Sequence, residues 1–265
     1  YTTLFRSKEQ LWLRPFDSPT AQPLAGTENA KYPFWSPDSK NIAFFADTKL
    51  KRIDANGGPV VTIADAPNGR GGSWGASDVI VFAPDLNKEL WRVPASGGIP
   101  KAITKLAGAA TSHRFPWFLP DGKHFLFEEG GGLPRADILL AALDSNSVKT
   151  LVHANSNAQY ASGHLLFAQM GVIMAQPFDD KRLTVTGDAR QVVGQVKSVV
   201  TTNPVAAFSV SATGLLAYQT GDGTSNQQLT WFDRQGKPIG IVGEPREFYS
   251  LDLSPDEKSV AVSRL

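Results

Sequence analysis

A short unit recurs along this chain: an aromatic or large apolar residue, then Ser-Pro-Asp or a relic of it, then an apolar run. It reads Phe34-Trp35-Ser36-Pro37-Asp38-Ser39-Lys40 before Ile42-Ala43-Phe44-Phe45, and Trp117-Phe118-Leu119-Pro120-Asp121-Gly122-Lys123 before Phe125-Leu126-Phe127. A third copy is Leu253-Ser254-Pro255-Asp256-Glu257-Lys258 before Val260-Ala261-Val262. Degenerate copies without the Pro stand at Trp74-Gly75-Ala76-Ser77-Asp78, Tyr160-Ala161-Ser162-Gly163-His164 and Val210-Ser211-Ala212-Thr213-Gly214, each leading into an apolar run. Pro presets its own φ, Asp bonds the local backbone and Gly accepts positive φ, so each copy reads as a tight turn between two strands. The sheets built on the Pro-less copies are expected to be irregular.

Each copy is followed by a second unit, in which an apolar run turns through Gly or Asp into another. Leu50 to Ile53 turns through Asn56-Gly57-Gly58 into Val60-Val61, and Leu90 to Val93 through Ala95-Ser96-Gly97-Gly98 into Ile103. The others run from Ile138 to Leu151, Val172 to Val193 and Leu229 to Val242, and one without its first half runs from Leu11 to Leu24. Two strands before and two after, at a spacing of ~40–50 residues, make the four-stranded antiparallel blade of a β-propeller. The expectation is an all-β, six-bladed propeller of four-stranded blades. One such sheet cannot bury both faces, whereas neighbours stacked face to face can. The chain opens with the outer half of a blade and ends with the inner half, Tyr249 to Val262, so the two halves are expected to share a sheet and hide two open edges. The alternative is a cut in mid-blade, with the natural partner strands missing.

Twenty-four Gly and 18 Pro agree with many tight turns, and a hydrophobic fraction of 42% suffices for a sizeable core. Twenty-six Lys and Arg against 25 Asp and Glu, with no basic run, argue against nucleic acid as a partner. Cysteine is absent, which excludes disulfides and thiolate metal sites. No apolar stretch approaches the ~20 residues of a membrane span, and no secretory leader opens the chain. Residues 1–7, Tyr1-Thr2-Thr3-Leu4-Phe5-Arg6-Ser7, read like a translated library adapter, and residues 8–265 as one propeller domain of a longer chain.

Phe34 to Phe45, Gly71 to Gly75, Leu90 to Gly98, Ser112 to Pro116 and Leu229 to Lys237 resemble the WD40-like, Pro-Asp-containing (PD40) repeats of TolB-type propellers. The likeness spans nearly everything after Ser7. The stretch Leu229-Thr230-Trp231-Phe232-Asp233-Arg234-Gln235-Gly236 inclines it to the C-terminal propeller region of bacterial membrane-anchored serine/threonine protein kinases. This resemblance implies an extracytoplasmic sensory or interaction region whose kinase domain lies upstream. The chain itself carries no nucleotide loop, His-Arg-Asp or Asp-Phe-Gly, so kinase chemistry is assigned to none of its residues. The alternatives are the substrate gate of a prolyl-oligopeptidase-like serine peptidase and a stand-alone TolB-like periplasmic scaffold.

No catalytic residue, metal ligand or cofactor is expected. Gly72-Ser73-Trp74-Gly75 is not a nucleophile elbow, and His113, His124, His153 and His164 lack metal-ligand spacing. Gly130-Gly131-Gly132 and Gly221-Asp222-Gly223 read as hairpin tips, and Glu128-Glu129 and Asp179-Asp180 as solvated edges. In a propeller the residues just before each innermost strand gather at one mouth of the central channel. Here they include Tyr32, Arg70, Trp74, His113, Arg114 and Arg246, a set of cations and aromatics suited to a protein, a peptide carboxylate or a small anionic or glycan-like ligand. The competing structural reading packs Trp74 between blades and pairs the arginines with neighbouring acids.

Overall fold

The Ser-Pro-Asp copies close on themselves. Ser36 Oγ donates to Asp38 Oδ1 (2.6 Å), which also accepts from the Lys40 N–H (3.1 Å), while Ser36 Oγ accepts from the Asn41 N–H (2.8 Å). Ser39 takes the positive φ of 60° that the turn demands. Ser254, Asp256, Lys258 and Ser259 repeat these bonds with Glu257 at 58°, and Asp121 caps its own turn with Gly122 at 65°. A turn satisfied by its own side chains returns the chain antiparallel, which is why strands flank each copy.

The computed structural model describes residues 10–15, 20–132, 135–154, 156–194, 196, 198–199, 205–219, 227–232, 237–246 and 248–264. The adapter-like residues 1–7 lie outside them. Strands β1 (Gln10–Pro15) and β2 (Gln22–Pro23) open the chain, followed by β3 (Lys31–Trp35), β4 (Asn41–Ala46), β5 (Lys49–Asp54) and β6 (Val61–Asp65). Next come β7 (Gly72–Trp74), β8 (Val79–Phe82), β9 (Trp91–Pro94) and β10 (Lys101–Ala102), then β11 (Ser112–Phe118), β12 (His124–Gly132), β13 (Arg135–Ala142) and β14 (Ser145–Ala154). The remainder are β15 (Ala158–Ala161), β16 (His164–Gln169), β17 (Val172–Asp179), β18 (Thr184–Val185), β19 (Arg190–Val193), β20 (Ser198–Val199), β21 (Val205–Ala206), β22 (Phe208–Val210), β23 (Leu216–Gln219), β24 (Gln227–Phe232), β25 (Pro238–Arg246), β26 (Phe248–Leu253) and β27 (Ser259–Arg264).

The fold is an all-β propeller, but the expectation of six four-stranded blades is corrected to five. These five are β3–β6, β7–β10, β11–β14, β22–β25 and the sheet β2-β1-β27-β26. The stretch expected as one more, Tyr160 to Val193, is a five-stranded sheet in which β17 carries both β18 and β19 on its outer edge. The cause lies in Pro177. The Thr186 N–H donates to the Pro177 carbonyl (3.0 Å), so the nitrogen of Pro177 faces the same edge and has no hydrogen to return. The outer strand breaks there, between Val185 and Arg190. This sheet carries a Pro-less turn copy; of the other two Pro-less sheets, the one following Val210 has register shifts between β24 and β25, whereas the one following Trp74 pairs without any. The small β20–β21 hairpin stands off these sheets.

The innermost strands β26, β3, β7, β11, β15 and β22 touch in turn and return to β26, enclosing a channel. Apolar cores lie between adjacent sheets: Phe34, Phe45, Trp74 and Phe82 in one, Val81, Leu90, Phe125 and Phe127 in the next. As expected from the phase of its ends, β1 pairs antiparallel with β27, from Gln10 opposite Arg264 to Pro15 opposite Ser259. Close approach between sheets demands glycine at position 72, where a Cβ would stand 2.5 Å from the Phe34 ring. Gly72→Ala is therefore expected to destabilise the fold by about 1–3 kcal/mol in urea unfolding, the usual cost of overpacking.

Candidate functional site

One position on each innermost strand lies two residues before the tight turn, and it is held by Phe34, Ser73, Trp117, Gln159, Ser209 and Asp252. Four of these side chains fasten their strand to the next. Ser73 Oγ accepts from the Phe118 N–H (3.0 Å), Gln159 Oε1 from Val210 (2.8 Å), Ser209 Oγ from Leu253 (3.0 Å) and Asp252 Oδ2 from Trp35 (3.2 Å). Phe34 and Trp117 have no acceptor and stand at the other two junctions. Ser73, which the sequence pattern already sets apart from a nucleophile elbow, is thus a structural fastener.

At one mouth of the channel, β3 and β11 carry the same irregularity. Tyr32 (φ 50°) and Phe115 (φ 47°) each precede a Pro, and each lies in a register shift of its strand pairing. A bulge of this kind re-aims a side chain. The two rings meet edge to face with centroids 5.6 Å apart, and the Arg70 guanidinium carbon lies 5.9 Å from the centroid of Tyr32. Arg70 Nη1 donates to the Gly69 carbonyl (2.9 Å), and its buried Nε has no hydrogen-bond partner. Arg114 is buried on β11, donates to the Leu86 carbonyl (3.3 Å), and stands opposite Glu128 in the β11–β12 register. Burial lowers Arg114 from the ordinary guanidinium value; Glu128 opposes this and Arg70 adds to it. A narrow cavity of about 80 Å³ opens beside these residues, lined by Tyr32, Phe115, Asn157 and Ser250 among others.

The sequence-predicted set therefore divides. Tyr32, Arg70 and Arg114 gather at this mouth. His113 turns away from the channel: its ring nitrogens face Thr104 Oγ1 (2.7 Å) and Glu129 Oε1 (3.3 Å), its edge meets Phe127, and burial lowers its pKa. Trp74 packs between sheets, donates to Asp78 Oδ1 (3.1 Å) and lines the opposite mouth. Arg246 ends β25, and its side chain lies outside the described residues, as do Gly221, Asp222 and Gly223. Two further readings are corrected. Gly130 is in the ladder, opposite Ser112 and Ala136, rather than at a hairpin tip, and Glu128 is 1% exposed rather than solvated. Burial pushes the Glu128 carboxyl up to about 8 against the pull of Arg114.

Sequence reasoning missed Phe115, Glu128 and Asp252. The signal for Phe115 was the paired aromatic-Pro-aromatic-aromatic stretch, Tyr32 to Trp35 and Phe115 to Phe118. The signal for Asp252 was an acid inside the apolar run Leu251-Asp252-Leu253. Asp252 is buried, accepts from Ser209 Oγ (2.8 Å) as well as from Trp35, and burial pushes its carboxyl up to about 7 despite these bonds. The opposite mouth widens into a cavity of about 290 Å³, lined by Trp74, Trp117, Phe118, Tyr160 and the turn prolines, with Asp252 among its walls. Among the described residues no group of three His, Cys, Asp or Glu is placed to hold a metal ion, and no helix is long and apolar enough to cross a membrane.

A closed ring of antiparallel sheets around a channel with two different mouths defines a β-propeller protein. No protein-family model matches the sequence, and no curated protein matches it. Among solved structures the chain is similar to a TolB of Agrobacterium tumefaciens, with 15% identity, a TM-score of 0.73, and coverage of 97% of this chain and 98% of that one. It is also similar to a gluconolactonase of Xanthomonas campestris, at 14% identity, TM-score 0.65 and coverage of 89% and 86%. A chain of a nidogen/laminin complex matches at 12% identity, TM-score 0.64 and coverage of 92% and 97%. Likeness at these identities establishes the fold, which hosts binding proteins and enzymes alike.

Proposed function

We propose that this propeller binds rather than catalyses, and serves as the extracytoplasmic sensory or interaction region of a bacterial serine/threonine kinase. The observation that carries the binding role is the mouth formed by Arg70, Tyr32, Phe115 and Arg114. It offers a guanidinium against an aromatic face, beside a narrow channel whose polar walls are occupied in holding the ring together. Such a surface suits a carboxylate on a peptide or a sugar acid. The kinase association rests on the resemblance of Leu229 to Gly236, and the TolB-like fold agrees with a propeller outside the cytoplasm.

The test uses a peptide with a free C-terminal carboxylate, the same peptide as its amide, and gluconate, titrated by calorimetry. Binding of at least one carboxylate is expected, with Arg70→Ala weakening it by about tenfold or more, the scale of a charge-assisted hydrogen bond. Equal affinity in Arg70→Ala would remove this mouth as the site. A second reading, an enzyme acting on sugar acids or lactones, is favoured by the fold shared with the gluconolactonase. Turnover of gluconolactone above the solvent rate would replace the binding role with that one. The coding sequence on either side decides the attachment: kinase motifs and an apolar span upstream support the sensor, a hydrolase domain downstream the peptidase gate.

A further inference from the structure

The wider cavity at the opposite mouth poses a separate question, because its charge has no structural necessity. At the equivalent channel position two other strands use serine, and Ser73 and Ser209 fasten the next strand as Asp252 does. An acid buried to 7% exposure in place of a sufficient hydroxyl adds a desolvated charge to a site that does not require it. The Asp252 carboxyl accepts from the Ser209 hydroxyl and the Trp35 N–H, and the interactions that set its proton affinity, the Leu253 backbone among them, involve no cation. Among the described residues the cavity lining holds one carboxyl and no Lys, Arg or His, and its remaining walls are chiefly indole, phenyl and proline surface. At about 290 Å³ it lies near the lower end of small-molecule sites.

We propose that this cavity binds a small organic cation, an ammonium group on an apolar body, with Asp252 as its counter-charge and the rings of Trp117 and Phe34 as the surrounding aromatic surface. Three features make that ligand class fit better than a neutral one. A carboxylate in an apolar cavity rewards a cation strongly because water does not screen the pair. Aromatic faces add attraction for an ammonium group and leave the apolar body its own contact area. An anion would meet the Asp252 charge, and a neutral apolar ligand would leave that carboxyl without a counter-ion. Phe34, Trp117 and Asp252 also border the narrow cavity of the other mouth, but Arg70, Arg114, Tyr32 and Phe115 do not line the wider one.

The experiment compares 2-phenylethylamine with 2-phenylethanol, which share size and ring and differ in the charged group, by calorimetric titration of the unmodified protein at pH 8, above the value of about 7 to which burial pushes the Asp252 carboxyl. The amine is expected to bind about tenfold or more tighter than the alcohol, the ratio a buried charge pair with an aromatic surround supports. Asp252→Asn retains an acceptor for the Trp35 N–H and is expected to bring the amine down to the affinity of the alcohol. Asp252→Ser, the residue that suffices at positions 73 and 209, should do the same, and Arg70→Ala should leave both affinities unchanged. Equal affinities for amine and alcohol in the unmodified protein, binding of neither, or undiminished amine binding in a folded Asp252→Asn variant would each overturn the proposal.

Discussion

Deleting residues 1–15 is expected to unfasten the ring. β1 is the partner of β27, so its removal leaves β27 with an open edge along the whole of its length. Leu11, 0% exposed, is lost from a core that includes Ile42, Phe44 and Ala261. The Leu11 backbone also accepts from the Leu24 N–H (2.9 Å) and donates to Thr27 Oγ1 (3.1 Å), so the approach to β3 loses its anchor. Leu11→Ala alone should cost about 2–5 kcal/mol, as buried leucine truncations do. The deletion should go further, to early, broad calorimetric unfolding and to association through the exposed edge seen in size-exclusion chromatography. A deleted chain that stays monomeric and unfolds at the original midpoint would mean that the β1–β27 pairing does not hold the ring.

What was legible in the sequence follows from the range of the interactions involved. The turns were legible because Ser36, Asp38 and Ser254, Asp256 bond within a few residues of themselves. The pairing of the chain's ends was legible from the phase of the repeat alone. The broken outer strand on β17 was not, because Pro177 matters only through which edge its nitrogen faces. Site residues failed in the same way. His113 and Arg114 are adjacent in sequence, yet strand alternation sends one between sheets and the other to the Arg70 mouth. Phe115 is re-aimed by a bulge that a count of residues does not reveal. The four polar fasteners of the channel hold equivalent positions on their strands but are Ser, Gln, Ser and Asp, so no single residue type marks them as a set.

Raising the pH from 5 to 8 is expected to destabilise this protein, the reverse of ordinary acid denaturation in which stability is lost as carboxylates protonate. Burial holds Asp252 at about 7 and Glu128 at about 8, against ordinary values of 3.8 and 4.5 for exposed groups. Between the exposed and the buried values the unfolded chain has already released these protons while the folded chain retains them. Stability from each group is full below its unfolded value and falls as pH climbs, until the buried group itself ionises. Both losses are complete above about pH 8, and together they amount to several kcal/mol, since each tenfold change in proton affinity is worth about 1.4 kcal/mol. The acids with lowered values, Asp38, Asp47, Asp121, Asp144, Asp179 and Asp256, titrate below this window and leave its slope unaltered. His113 acts with opposite sign: burial lowers its pKa, so it contributes stability that grows as pH rises toward 6.5 and partly offsets the acids there. Asp252→Asn and Glu128→Gln keep hydrogen-bonding capacity beside Trp35 and Arg114 while removing the ionisation. Each variant should raise the thermal midpoint at pH 8 by about 10 °C or more and by clearly less at pH 5, where only the first part of the loss has developed, on the scale of ~2–4 °C per kcal/mol for a chain near this size. A midpoint independent of pH between 5 and 8 in the unmodified protein would show that neither carboxyl is as deeply desolvated as its position in the fold requires.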